Sequence, residues 1–231
     1  MSQTDAMSLL ERANTFTTLQ LDSDAEYDTG QLRPAHGENA IAIVGDGSQD
    51  RIHHTWKVWW RRPDCWRDDI TWDTGDSAVS IVCGATSVSY LSALDTRRGA
   101  RQPHLFMRRL RAVLGRHALR HEPTLQQRLE QMPLAQARGL TQGWSLTTLG
   151  EREHAGRRTL RVRAVRGTGA MRFGLWDYVN EYIVDVDEER GVLLRCAAIV
   201  DGKEAAVLGA RSVTFDEPIP DAVFTDRHAA G

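Results

Sequence analysis

The chain has 231 residues, of which 41% are hydrophobic, and a formal net charge of -2. A chain of this length and apolar content can bury a substantial core without disulfide or metal staples, so one domain over 1–231 is expected. The near-neutral balance excludes a surface that coats nucleic acid generally, and no stretch approaches the apolar length that spans a bilayer.

Residues 5–18 set Ala6, Leu9, Leu10, Ala13 and Phe16 on one helical stripe, with Thr4 or Asp5 as N-cap, which predicts an opening amphipathic helix. The segment lacks the basic start, apolar core and small-residue cleavage site of a secretory signal. A soluble, cytoplasmic protein is therefore expected, or an extracytoplasmic one if the chain is a processed form. From Leu19 the period changes to two. Leu19, Leu21, Ser23, Ala25 and Tyr27 alternate with Gln20, Asp22, Asp24, Glu26 and Asp28, which reads as a half-buried strand with a solvated acidic face. Turn-rich stretches then bracket a short strand at 40–44.

Residues 54–67 hold four of the seven tryptophans. On a two-residue period Trp56, Val58, Trp60 and Arg62 share one face of a strand, and Lys57, Trp59 and Arg61 share the other. The strand stops at Arg62-Pro63, because proline cannot donate to a sheet ladder. Both faces are partly apolar, so something must cover the second. Either a helix or sheet covers both, or one face lines a cavity for an apolar ligand. Strands at 69–72, 78–83 and 86–91 follow as a meander.

Residues 97–138 differ. Pro103 opens a helical pattern of Leu105, Phe106, Leu110, Val113 and Leu114, and Pro123 opens a second with Leu125, Leu129 and Met132. The same segment carries Arg108, Arg109, Arg111, Arg116 and Arg120, readable as a solvated face or as a basic surface for an acidic protein, an anionic membrane or nucleic acid. Strands resume at 144–150, 160–165, 176–186, 192–200 and 205–215, with Asp201-Gly202 as a hairpin signal. The fold class is α+β, mostly β: one highly curved antiparallel sheet, a half-barrel of about eleven strands, with about three helices. The last residues, 226–231, read as a flexible tail.

Catalytic signatures are missing from the pattern. His117 and His121 are spaced as helical metal ligands, but no glutamate follows His117 and no third ligand is placed, so no metal or other cofactor is expected. No Gly-x-Ser-x-Gly elbow supports a serine hydrolase. The three scattered cysteines, Cys65, Cys83 and Cys196, read as reduced, mostly buried thiols. An enzyme is not expected.

The order of features from Trp56 to Tyr90 resembles the LolA-type lipoprotein carriers and their RseB-like relatives: an extended apolar run, Arg62-Pro63, Trp66, a strand with Val79 and Ile81, then Gly84 and Tyr90. The closing strands and the run from Phe215 to Phe224, with Ile219-Pro220-Asp221, are similar to the family's ending. The resemblance implies a half-barrel with a helical lid at 103–133 and a cavity faced by Trp56, Val58, Trp60, Trp66, Phe106 and Met107. It also implies that Arg62 latches the lid through backbone carbonyls. The function it implies is that of a carrier or sensor for a lipid, acyl chain or lipidated peptide. The alternative is a protein-interaction module with a closed core, whose Arg-rich helices engage an acidic partner.

Overall fold

A computed structural model of the chain describes residues 3–11, 16–28, 51–73, 75, 77–84, 86–91, 137–170, 173 and 179–225. These contain ten strands: β1 (Thr18–Asp28), β2 (Arg51–Arg61), β3 (Cys65–Trp72), β4 (Ser77–Cys83), β5 (Thr86–Leu91), β6 (Trp144–His154), β7 (Arg157–Arg166), β8 (Glu181–Asp187), β9 (Leu193–Val200) and β10 (Lys203–Phe215). One α-helix, α1 (Gln3–Glu11), and short 3-10 helices at Ala137–Thr141 and Asp221–Phe224 complete the described elements.

All ten strands form one open antiparallel sheet in the order β5-β4-β3-β2-β1-β10-β9-β8-β7-β6. From β1 the chain meanders outward to β5, restarts at the opposite edge with β6, and meanders inward until β10 pairs with β1. The first and last strands therefore meet at the centre. Two hairpins carry the left-handed geometry that two-residue turns need: Ala155 and Gly156 between β6 and β7, and Asp201 and Gly202 between β9 and β10.

The core lies on one face of this sheet, here the helix face. Leu19 and Leu21 of β1, Val162 of β7, Tyr182 and Val184 of β8 and Cys196 of β9 are buried there with Leu9 and Leu10 of α1 and Leu140. Of the stripe expected over 5–18, Ala6, Leu9 and Leu10 of α1 and Phe16 beyond it are buried, Ala13 lies outside the described residues, and Thr4 and Asp5 are inside the helix and do not cap it. Tyr182 is fully buried, and its hydroxyl donates to the Phe173 carbonyl at 3.0 Å, so its one polar atom is satisfied.

Several expectations need correction. Ten strands are described where about eleven were expected, and the expected strand at 40–44 lies outside the described residues. So do the lid segment 103–133 and the tail 226–231. Trp66 sits inside β3, which begins at Cys65 directly after the Arg62–Asp64 turn, whereas the sequence placed that strand at 69–72. Strands β6 and β7 are longer than read, because they pair as far as His154 and Arg157 and cross-strand partners stabilise polar residues that alternation alone does not mark. Cys65 and Cys83 are not reduced thiols. They stand directly opposite each other across β3 and β4 and form a disulfide, a proximity set by register that spacing could not reveal. Cys196 is free and buried, and burial pushes its thiol up to about 12.

Candidate functional site

Pairing register places Trp56, Val58 and Trp60 of β2 on the helix face, and Trp60 stands opposite Trp66 of β3. Val58, Trp60 and Trp66 are buried, and the half-buried Trp56 packs against the same core. The Phe16 ring, in the link between α1 and β1, meets Trp60 edge-on with centroids 5.0 Å apart. The result is a continuous aromatic wall over β2 and β3. Its indole nitrogens are not equivalent. Trp66 Nε1 donates to Asp68 Oδ1 at 3.0 Å, while the buried Nε1 atoms of Trp56 and Trp60 have no partner among the described residues.

The second apolar face of β2 is covered by the C-terminal segment. Trp59, Cys65 and Ile81 pack with Ile219, Val223 and Phe224. Two arginines clamp that segment by its backbone. Arg61 Nη1 donates to the Ile219 carbonyl at 3.1 Å and pairs with Asp221, and Arg67 Nη1 donates to the Val223 carbonyl at 3.0 Å. Arg62 turns elsewhere. Its Nε donates to the Phe16 carbonyl at 3.1 Å, its backbone N–H donates to the Thr17 carbonyl, and its guanidinium lies over the Trp60 ring. Arg62 thus holds the α1–β1 link where that link crosses the aromatic wall.

Further along the helix face is a polar cluster that sequence reasoning missed, having taken His53-His54 as a strand start. The Tyr27 hydroxyl is hydrogen-bonded to His54 Nδ1 at 2.9 Å and accepts from the Trp72 indole. Burial pushes Tyr27 up to about 12 and lowers His54 to about 4, with the neighbouring His53 acting in the same direction, so His54 is neutral near pH 7. The signal was present. His54 lies on the same two-residue period as Trp56, Val58 and Trp60.

The opposite, charged face is laced with ion pairs. Arg211 pairs with Asp22 and Asp24, Arg161 forms a bidentate pair with the buried Asp185, and Arg163 does the same with Glu181. The acidic face read from β1 is therefore a paired one. A groove of about 290 Å³ opens here, lined by Asp24, Glu26, His53, His154, Arg195 and Arg211 above a floor at Gly209. His154 is held below the usual imidazole range by burial, partly offset by Asp185 4.0 Å away.

Phe106, Met107, Arg108, Arg109, Arg111, Arg116, Arg120, His117 and His121 lie outside the described residues. Among the described residues no group of His, Cys, Asp or Glu is arranged to hold a metal ion, and no helix is long and apolar enough to cross a membrane.

Solved structures share this architecture. MucB matches with a TM-score of 0.54 at 12% identity, over 97% of this chain and 62% of MucB. The MucA/MucB complex of Pseudomonas aeruginosa matches with a TM-score of 0.53 at 13% identity, again over 97% and 62%. The chain thus spans less than two thirds of the length of these relatives, and at such identity the likeness is one of fold. The fold is thus shared with MucB. No protein-family model matches the chain, and no curated protein sequence does.

Proposed function

We propose that the protein binds an apolar ligand, a lipid, an acyl chain or a lipidated peptide, against the helix face of β2 and β3, and acts as a carrier or sensor. The observation that carries this reading is the aromatic wall of Trp56, Val58, Trp60 and Trp66, continuous over two strands and bordered by the Arg62-held link. Each methylene moved from water onto such a wall contributes about 0.8 kcal/mol. Ten of them supply roughly 8 kcal/mol before the cost of association, so chain length dominates affinity. In this reading Phe106 and Met107 belong to the lid, Arg62 is a latch, and the basic row from Arg108 to Arg120 faces an acidic protein or an anionic membrane. The Cys65–Cys83 disulfide supports an oxidising compartment, where such bonds persist, over the cytoplasm.

The test is titration with a conjugated polyene fatty acid, whose absorption overlaps tryptophan emission. Saturable quenching that Trp56→Glu weakens is the expected result, and quenching that rises linearly without saturation counts against the reading. A second reading is a protein-interaction module, favoured by the structure of MucB with MucA. It predicts an interior that takes up no acyl probe.

A further inference from the structure

The Cys65–Cys83 disulfide joins two sulfurs in unequal surroundings. Register sets Arg61 of β2, Cys65 of β3 and Cys83 of β4 in one row across the sheet. Cys65 is 5% exposed and packs with Ile219 and Phe224, whereas Cys83 is half-buried at the end of β4, next to the exposed Gly84. In thiol–disulfide exchange the attacking, attacked and leaving sulfurs stand in line, so each sulfur of the bond is attacked from the side away from its partner. For Cys65 that side is β2, where Arg61 and the C-terminal segment stand. Cys83 is approached from the opposite direction, and it is the more exposed of the two.

The two sulfurs differ as leaving groups as well. Arg61 Nη2 lies 3.6 Å from Cys65 Sγ, and its Nη1 is held by the Ile219 carbonyl and by Asp221, which fix the guanidinium against the sulfur. A thiolate released at Cys65 therefore forms beside a cation, which stabilises it. Asp64 Oδ1 also approaches Cys65 Sγ, at 3.9 Å, but Asp64 is exposed in the turn before β3 and water screens its charge.

The geometry points to Cys83 as a site of thiol exchange in the folded protein, attacked by a small thiol, with Cys65 as the leaving sulfur and Arg61 as the residue positioned to stabilise it. An incoming thiolate forms a sulfur–sulfur bond to Cys83 as the Cys65–Cys83 bond breaks, and the electron pair of the broken bond leaves on Cys65. A second thiolate then attacks the small thiol's sulfur in the mixed disulfide and releases the Cys83 thiolate. Two small thiols are thereby oxidised to their disulfide as the protein's disulfide is reduced.

The experiment treats the folded, oxidised protein with reduced glutathione at mildly alkaline pH, quenches early with N-ethylmaleimide and maps the adducts by tandem mass spectrometry. Glutathione should be found on Cys83 and maleimide on Cys65. Cys196, free and buried, should stay unlabelled, which reports that the fold has not opened. Arg61→Leu should slow the exchange roughly tenfold, and Arg61→Lys, which keeps a cation there, should recover most of the rate. Arg67→Leu, which releases the same C-terminal segment at the Val223 carbonyl, should not slow it. Asp64→Asn should speed it. The inference is overturned by glutathione mainly on Cys65, by no adduct on either cysteine, or by exchange that proceeds only in step with labelling of Cys196. Equal rates in all these proteins, or Arg61→Lys as slow as Arg61→Leu, overturn it too.

Discussion

The two faces of the strands at the centre of the sheet are made from the same residues taken alternately, yet they solve opposite problems. On the charged face Asp22 and Asp24 meet Arg211, and Asp185 meets Arg161, so polar groups satisfy one another. On the helix face Leu19, Leu21, Val58 and Trp60 are buried among apolar neighbours, and the polar atoms are few. The indole nitrogens of Trp56 and Trp60 are among those with no described partner. The difference is in what holds each face: on one, mutually paired charges tie neighbouring strands together, and on the other, buried apolar area does.

The largest effect expected from breaking this contrast is on the charged face. Arg161→Ala leaves Asp185, 1% exposed, without its bidentate partner. Removing one member of a buried pair costs ~3 kcal/mol, which urea denaturation at neutral pH would register. His154 should titrate higher in that variant, because Arg161 is one of the groups that hold its pKa down. A stability loss near zero would mean that the pair is solvated and the face is not a structural one.

Next in size is acid sensitivity from the helix face. His54 is buried and neutral, with a folded pKa of about 4 against an ordinary value of 6.5. The unfolded chain takes up this proton first, so the contribution is whole above pH 6.5 and is lost as pH falls from there through 4. Between pH 7 and pH 5 the loss should be about 2 kcal/mol. His54→Gln, which retains an acceptor for Tyr27, should flatten that slope. An unchanged slope would assign the acid sensitivity to other groups, His154 among them.

The smallest effect is local and separates two neighbouring arginines. Arg62 holds the α1–β1 link and Arg61 holds the C-terminal segment. Arg62→Leu should speed hydrogen exchange about fivefold at the Thr17 amide, as for a partly solvated bond worth about 1 kcal/mol. Arg61→Leu should act instead at the Val223 amide, which donates to the Pro220 carbonyl in that segment. Equal effects of both variants at both amides would remove the distinction between the two clamps.

Alternation was enough to place the wall, since Trp56, Val58 and Trp60 share a period and a buried face whatever the strand order. The Pro63 break and the Asp201-Gly202 turn were likewise legible, because proline and positive-φ positions act locally. What could not be read were facts of register. The Cys65–Cys83 disulfide, the Arg161–Asp185 pair and the Tyr27–His54–Trp72 cluster each join residues from different strands, 18 or more positions apart, and nothing local to either partner marks the other. Arg62 is an intermediate case. A backbone carbonyl was the expected partner, and one is found, but it belongs to Phe16 in the link from α1.

The central claim, that the helix face receives an apolar ligand, is tested most directly by native mass spectrometry of protein purified without detergent or organic solvent. The account predicts a population heavier than the bare chain by the mass of an acyl-bearing lipid, which organic extraction removes and Trp56→Glu diminishes. Bare chain alone, both from the cell and after incubation with lipid vesicles, would contradict it.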